Sequence, residues 1–174
     1  MQESPIVDAC AAEFRKIKSQ CEAAMAQLGD DQLHVRINPH QNSIAVIVQH
    51  MAGNMLSRWT DFLHADGEKP TRDRESEFVE RGLSRGELMA QWERGWAALF
   101  AALGDLRDAD LMRTIHIRRE PHTVIGALTR QISHYAQHLG QIVLIGKHIR
   151  GAEWRYLSIP PGQSAAFNAA RGMA

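Results

Sequence analysis

The chain has 174 residues, 44% hydrophobic and 23% charged, values ordinary for a compact folded protein of one domain. Lys+Arg and Asp+Glu are both 20, so the formal charge is zero with histidines neutral, and the basic surplus of a non-specific nucleic-acid binder is missing. There is no run of about 18 apolar residues and no signal-peptide pattern, so the expected setting is the cytosol, with no membrane partner.

Ser4-Pro5 opens the first predicted helix, serine as cap and proline in the first turn. Cys10, Phe14, Ile17, Cys21, Ala24 and Leu28 follow at steps of four and three, one apolar stripe that ends at Gly29. On one helix the two cysteines stand about 16 Å apart, too far for a mutual disulfide. Asp30 to Gln41 is a connector with a short helical turn at Asp31 to Leu33. Asn42 or Ser43 caps a second helix reaching about Ala65, whose interior face is Ile44, Ile47, Val48, Met51, Met55, Trp59 and Phe62.

Residues 66–83 form a long connection with the charged run Arg72-Asp73-Arg74-Glu75, a length that suits a bundle crossover or the cover of a cavity. Ser84-Arg85-Gly86-Glu87 matches a capping box and starts a third helix that ends near Gly104, with Trp92 and Trp96 as core fillers whose indole nitrogens reach the surface. Ile115 to Arg118 alternates as an extended segment does, and Glu120-Pro121-His122 redirects the chain. The fourth helix, Thr123 to Ile149, is the longest and carries Val124, Ile125, Leu128, Ile132, Leu139, Ile142, Val143 and Ile149 at helical spacing. After it, 152–174 reads as a tail on the bundle, its Pro160-Pro161 pair excluding continuous helix and its last small residues free to fray.

Two of these helices carry a polar seam. On the fourth, His134 and His138 lie one turn apart on one side, with Gln131 and Gln141 nearby. Two readings fit the pair: one metal ion bound by both rings, or buried imidazoles hydrogen-bonded to Tyr135 or Gln141. On the second, His50, Asn54, Ser57, Arg58 and Asp61 follow at three- and four-residue steps; the plain reading makes His50 a half-buried hydrogen-bonding residue and Arg58 with Asp61 a solvated ion pair. Should the two seams face each other, His50, His134 and His138 supply three imidazoles and leave one coordination position open, as a catalytic zinc or nickel site requires. The open position then holds a water or thiolate in place of a protein base, and Asn54, Arg58 and Gln141 are the candidates for substrate contact or ligand support.

The segments NSIAVIVQHMAGN (42–54), TRDRESEF (71–78), IRREPHTV (117–124), HYAQHLGQI (134–142) and LSIPPGQS (157–164) occur in an order that resembles the DinB-like superfamily, and within it the bacterial DUF1572 group. The resemblance covers nearly the whole chain. It implies an all-α DinB-like four-helix bundle, up-down-down-up, with a long crossover between helices two and three. It also implies a divalent metal on His50, His134 and His138, and a homodimer. Better understood relatives are metal-dependent enzymes that act with low-molecular-weight thiols, so the resemblance implies a thiol-dependent S-transferase or detoxification enzyme. A metal-dependent hydrolase of a small ester or amide, and a non-catalytic dimeric metal- or ligand-binding protein, stay open beside it.

Overall fold

The computed structural model describes residues 4–173; residues 1–3 and 174, the extreme ends of the expected 1–174 domain, lie outside the described residues. The fold is mostly helical. Four long helices, α1 (Pro5–Met25), α2 (Ile44–Trp59), α3 (Arg85–Asp105) and α4 (Val124–Arg150), are accompanied by a two-stranded sheet between α3 and α4, β1 (Thr114–Ile117) and β2 (Glu120–Thr123), and followed by a short α5 (Ser164–Ala169). The main helix contacts are α2 on α3, α1 on α4, α2 on α4 and α1 on α3. No helix among the described residues is long and apolar enough to cross a membrane.

The apolar stripes meet in one connected cluster. At its centre stand four aromatic rings, one from each long helix: Phe14, Trp59, Trp96 and Tyr135, all at most 2% exposed. Phe14 lies 6.0 Å from Trp59, 6.4 Å from Trp96 and 5.9 Å from Tyr135, and Trp96 lies 5.8 Å from Tyr135, mostly edge to face. Each such pair adds about 0.5–1.5 kcal/mol beyond area burial. The indole Nε1 of Trp59 donates to the Tyr135 hydroxyl at 3.2 Å, and that hydroxyl donates to Asn54 Oδ1 at 3.0 Å. A buried polar chain therefore fixes the rotation of α4 relative to α2, because a slipped register would strand these groups without partners.

Several helix ends follow the expected chemistry. Ser43 accepts from the Val46 amide at 3.2 Å, Thr123 accepts from the Gly126 amide at 3.1 Å, and Ser84 and Glu87 form the reciprocal capping box. The turn at Asp31–His34 is a single 3-10 turn. Cys10 and Cys21 are both free and buried.

Other ends differ. Ser4 makes no side-chain cap; Asp108, from the turn that follows α3, accepts from the amides of Ile6 at 3.1 Å and Val7 at 3.0 Å. Helix α2 stops at Trp59, six residues short of the expected Ala65, because Thr60 is extended and Asp61 takes a left-handed φ of 49°. The expected solvated Arg58–Asp61 pair does not form, since Arg58 is buried at 4% exposure. Trp92 and Trp96 are fully covered: the Trp92 indole donates to Glu22, while the Trp96 indole has no partner among the described residues. In the tail, Trp154 packs closely against Gly146 of α4, and α5 occupies part of the small-residue stretch expected to fray.

The 66–83 crossover docks on the β-hairpin. The Gly67 amide donates to the His116 carbonyl at 2.8 Å. Arg118 and Arg119 turn the hairpin with φ of 54° and 65°, a conformation unfavourable for side-chain-bearing residues. The Asp66 carboxylate compensates by accepting from both of their amides at 2.8 Å. This arrangement puts the charged run of the crossover against the N-terminal half of α4's polar seam and the middle of α2's.

Candidate metal centre

The two polar seams face each other. His50 from α2 meets His134 and His138 from α4, and one ring nitrogen from each lies within 4.8 Å of the others. The Nε2 of His134 is 3.0 Å from Nε2 of His138 and 3.4 Å from Nε2 of His50. Nitrogen ligands at about 2.05 Å around a tetrahedral ion stand about 3.3 Å apart, so these spacings match a shared ion.

The opposite side of each ring decides the chemistry of that triangle. His50 Nδ1 sits 2.9 Å from Glu77 Oε2, His134 Nδ1 sits 3.1 Å from Gln131 Oε1, and His138 Nδ1 sits 2.8 Å from Gln141 Oε1. Each of these oxygens only accepts, so each Nδ1 is the donor, and a neutral ring then has a bare Nε2 lone pair. Three lone pairs point into one small space. Burial, with His138, His50, Arg58 and Arg130 nearby, pushes His134 down to about 3, and burial also pushes His138 down, so a proton does not relieve the crowding. A divalent cation does. The donor set therefore fits a metal, and the fit comes from the three outer acceptors as much as from the histidines.

Glu77 was not found by reading the sequence. It sits in the 3-10 turn Glu75–Phe78 of the crossover, whose spacing to His50 follows no helical period. Its position depends on Gly53, one turn after His50 on α2. A Cβ there would collide with the Glu77 carboxylate. Arg72 grips the other side of Glu77, with Nε 2.7 Å from Oε1 and a terminal nitrogen 2.8 Å from Oε2, and a second terminal nitrogen reaches Glu68 at 3.1 Å. Burial opposes ionisation of Glu77, but hydrogen bonds from His50 and Arg72, with the charge of Arg72, outweigh it and hold the carboxyl below its ordinary range. Phe78, the next residue, lies over the His50 ring at 4.6 Å between centroids. The crossover thus both orients His50 and covers it.

The remaining expected site residues divide by position. Gln141 is turned onto His138 and orients that ring. Asn54 and Arg58 line a pocket of about 340 Å³ that opens beside His50 and His134. Gln131, read in the sequence as part of the seam, proves to be the partner of His134 and is 2% exposed. Tyr135 bonds to Asn54 and Trp59, and to no histidine. Arg72, first residue of the charged run in the crossover, is taken up by Glu77 and Glu68.

Two outcomes follow from this geometry. Glu77→Gln removes the carboxylate that polarises His50, and affinity for zinc, measured by competition with a chromophoric chelator, is expected to fall roughly 10–100-fold with helical content retained; unchanged affinity would remove Glu77 from the account. Acidification should destabilise the metal-free protein. The folded-state value of His134 is depressed to about 3, so the unfolded chain takes up protons first, below its ordinary value of about 6.5. The contribution is complete above about pH 6.5 and is lost progressively toward pH 3, with Glu77 adding in the same direction in the carboxylate range. The urea midpoint should drop between pH 7.5 and 5, and a midpoint that stays level would contradict the buried neutral imidazole.

No curated protein gives a significant match to the chain. The family model described as "Protein of unknown function (DUF1572)" matches residues 3–163, a span that holds α1 from its first turn, all three histidines, the crossover with Glu77 and the start of the tail. The chain belongs to the DUF1572 family.

Proposed function

We propose that the protein is a divalent-metal-dependent enzyme of the DinB-like four-helix-bundle type, in which His50, His134 and His138 hold the ion and a low-molecular-weight thiol is cosubstrate. The carrying observation is the set of three bare Nε2 atoms beside a pocket, with no fourth His, Cys, Asp or Glu among the described residues to close the cluster. Structural sites are closed by four protein ligands, whereas catalytic ones keep a position open. Imidazole ligands suit zinc or nickel. Such an ion supplies a Lewis acid that lowers the pKa of a thiol or water reaching the open position.

The chain's own groups do the rest. Glu77, Gln131 and Gln141 hold the three rings in one tautomer, and Phe78 shields the His50 face from water. Among the described residues no carboxylate lines the pocket, so a proton released by the incoming thiol or water would pass to solvent. The bundle assignment is supported by the four long helices and by the long crossover between the second and third of them. The homodimer and the cytosolic setting belong to the same proposal and rest on the resemblance and on the composition.

Cobalt(II)-substituted protein titrated with cysteine, glutathione and other small thiols tests the thiol. An intense near-ultraviolet sulfur-to-cobalt band that saturates with thiol, and is absent in His138→Ala, is expected. A spectrum unchanged by any thiol would reject the transferase reading, and ester hydrolysis without added thiol would then put water in the open position.

A further inference from the structure

The pocket beside the triad has an unusual wall. Five of its lining residues are arginines, Arg58, Arg72, Arg74, Arg118 and Arg130, and among the described residues none is an aspartate or glutamate. Three of the five are matched nearby. Arg72 is held by Glu77 and Glu68, Arg74 reaches Glu75 at 3.2 Å while stacking on Phe78, and Arg118 lies 3.4 Å from Glu68. Arg58 and Arg130 form no salt bridge among the described residues.

Arg58 is the sharper case. It is 4% exposed, and its Nε and one terminal nitrogen are buried with no hydrogen-bond partner. Its side chain is pressed against Gly67 of the crossover, where even a Cβ would come within 2.6 Å of that terminal nitrogen. The fold has therefore made room for a guanidinium and given it no salt-bridge partner at contact distance, Glu68 and Asp66 acting on it only from farther off. A buried, unpaired charge is costly and persists where something else supplies the opposite sign. Asn54 adds to the wall: its side-chain oxygen is taken by Tyr135, which leaves its amide nitrogen to donate.

The positions also fix a scale. Arg58 is two turns beyond His50 on α2, about 12 Å along the axis, and Arg130 is one turn before His134 on α4, about 6 Å. The Tyr135–Asn54 contact joins the two helices, with Asn54 midway between His50 and Arg58 on α2. Arginine forks match the planar oxygens of carboxylates and the oxygens of phosphates.

We propose that this pocket binds the oxyanion, carboxylate or phosphate, of a small-molecule substrate on Arg58 and Arg130, and so presents the substrate's reacting end to the histidine triad. The substrate class is a small organic anion whose charged group stands a few bonds from the reacting atom. The orientation of that reacting end rests on the metal-centre reading; the anion site itself does not.

The test is calorimetric titration of chelator-treated, metal-free protein with malonate, with inorganic phosphate and with uncharged malonamide. Saturable binding of malonate or phosphate is expected, at least tenfold weaker in Arg130→Gln, weakened also in Arg58→Lys, falling steeply with salt, and absent for malonamide. Arg130 is exposed, so its variant keeps the test valid should Arg58 substitutions unfold the chain. Preference for malonate assigns a carboxylate substrate, and preference for phosphate assigns a phosphate ester. No saturable binding, or equal binding in wild type and Arg130→Gln, overturns the proposal. Because the metal is absent throughout, anion binding by a protein that takes up no zinc sinks the metal reading alone, and zinc uptake without anion binding sinks the pocket alone.

Discussion

Three lone pairs aimed at one point are the constraint on which the centre of this molecule depends. Each imidazole gives its outer proton to an oxygen that can only accept, and so turns a bare nitrogen inward. Without a cation that arrangement is repulsive. Depression of His134 to about 3 closes the other way out, protonation. Neutral, oriented and crowded rings are what a metal needs from a protein, and coordination repays a conformation that is otherwise unfavourable.

Maintaining that arrangement draws on parts of the chain far apart in sequence. The aromatic quartet Phe14, Trp59, Trp96 and Tyr135 sets the helices, and the Trp59–Tyr135–Asn54 chain fixes α4 against α2 directly beside His134. The crossover supplies the third support. Asp66 anchors it to the hairpin turn, Arg72 grips Glu77, and Gly53 clears the space through which Glu77 reaches His50. The same docking presses Gly67 onto Arg58 and leaves an arginine-lined pocket on the open side of the triad. Orientation of His50 and pocket charge are thus two consequences of one loop placement.

What the sequence made legible follows the reach of its periodicities. Helical spacing exposed α3 and α4 nearly to the residue, because each has one apolar stripe and a recognisable cap or break, and it exposed α1 as well, although that helix ends at Met25 and not at the expected Gly29. Spacing also put His134 and His138 on one side of α4, while pairing them with His50 needed the facing of two seams and the resemblance. Glu77 escaped notice because it lies on a 3-10 turn in a non-periodic crossover, where no residue spacing encodes proximity to α2. Arg58 was read as solvated because a polar residue on a helix face looks exposed until the loop that covers it is placed. The end of α2 was missed for a related reason, since the left-handed Asp61 carries no glycine or proline to announce it. Capping of α1 by Asp108 is a contact across about a hundred residues, beyond any local rule.

The most direct test of the central claim is the metal content of tag-free protein purified without chelator, measured beside His138→Ala. The account predicts about one divalent ion per chain in the wild type, lost in the variant while its circular dichroism stays helical. Absence of metal from both proteins, even after reconstitution with zinc and with nickel, would contradict it and leave the three histidines as a polar network in the core.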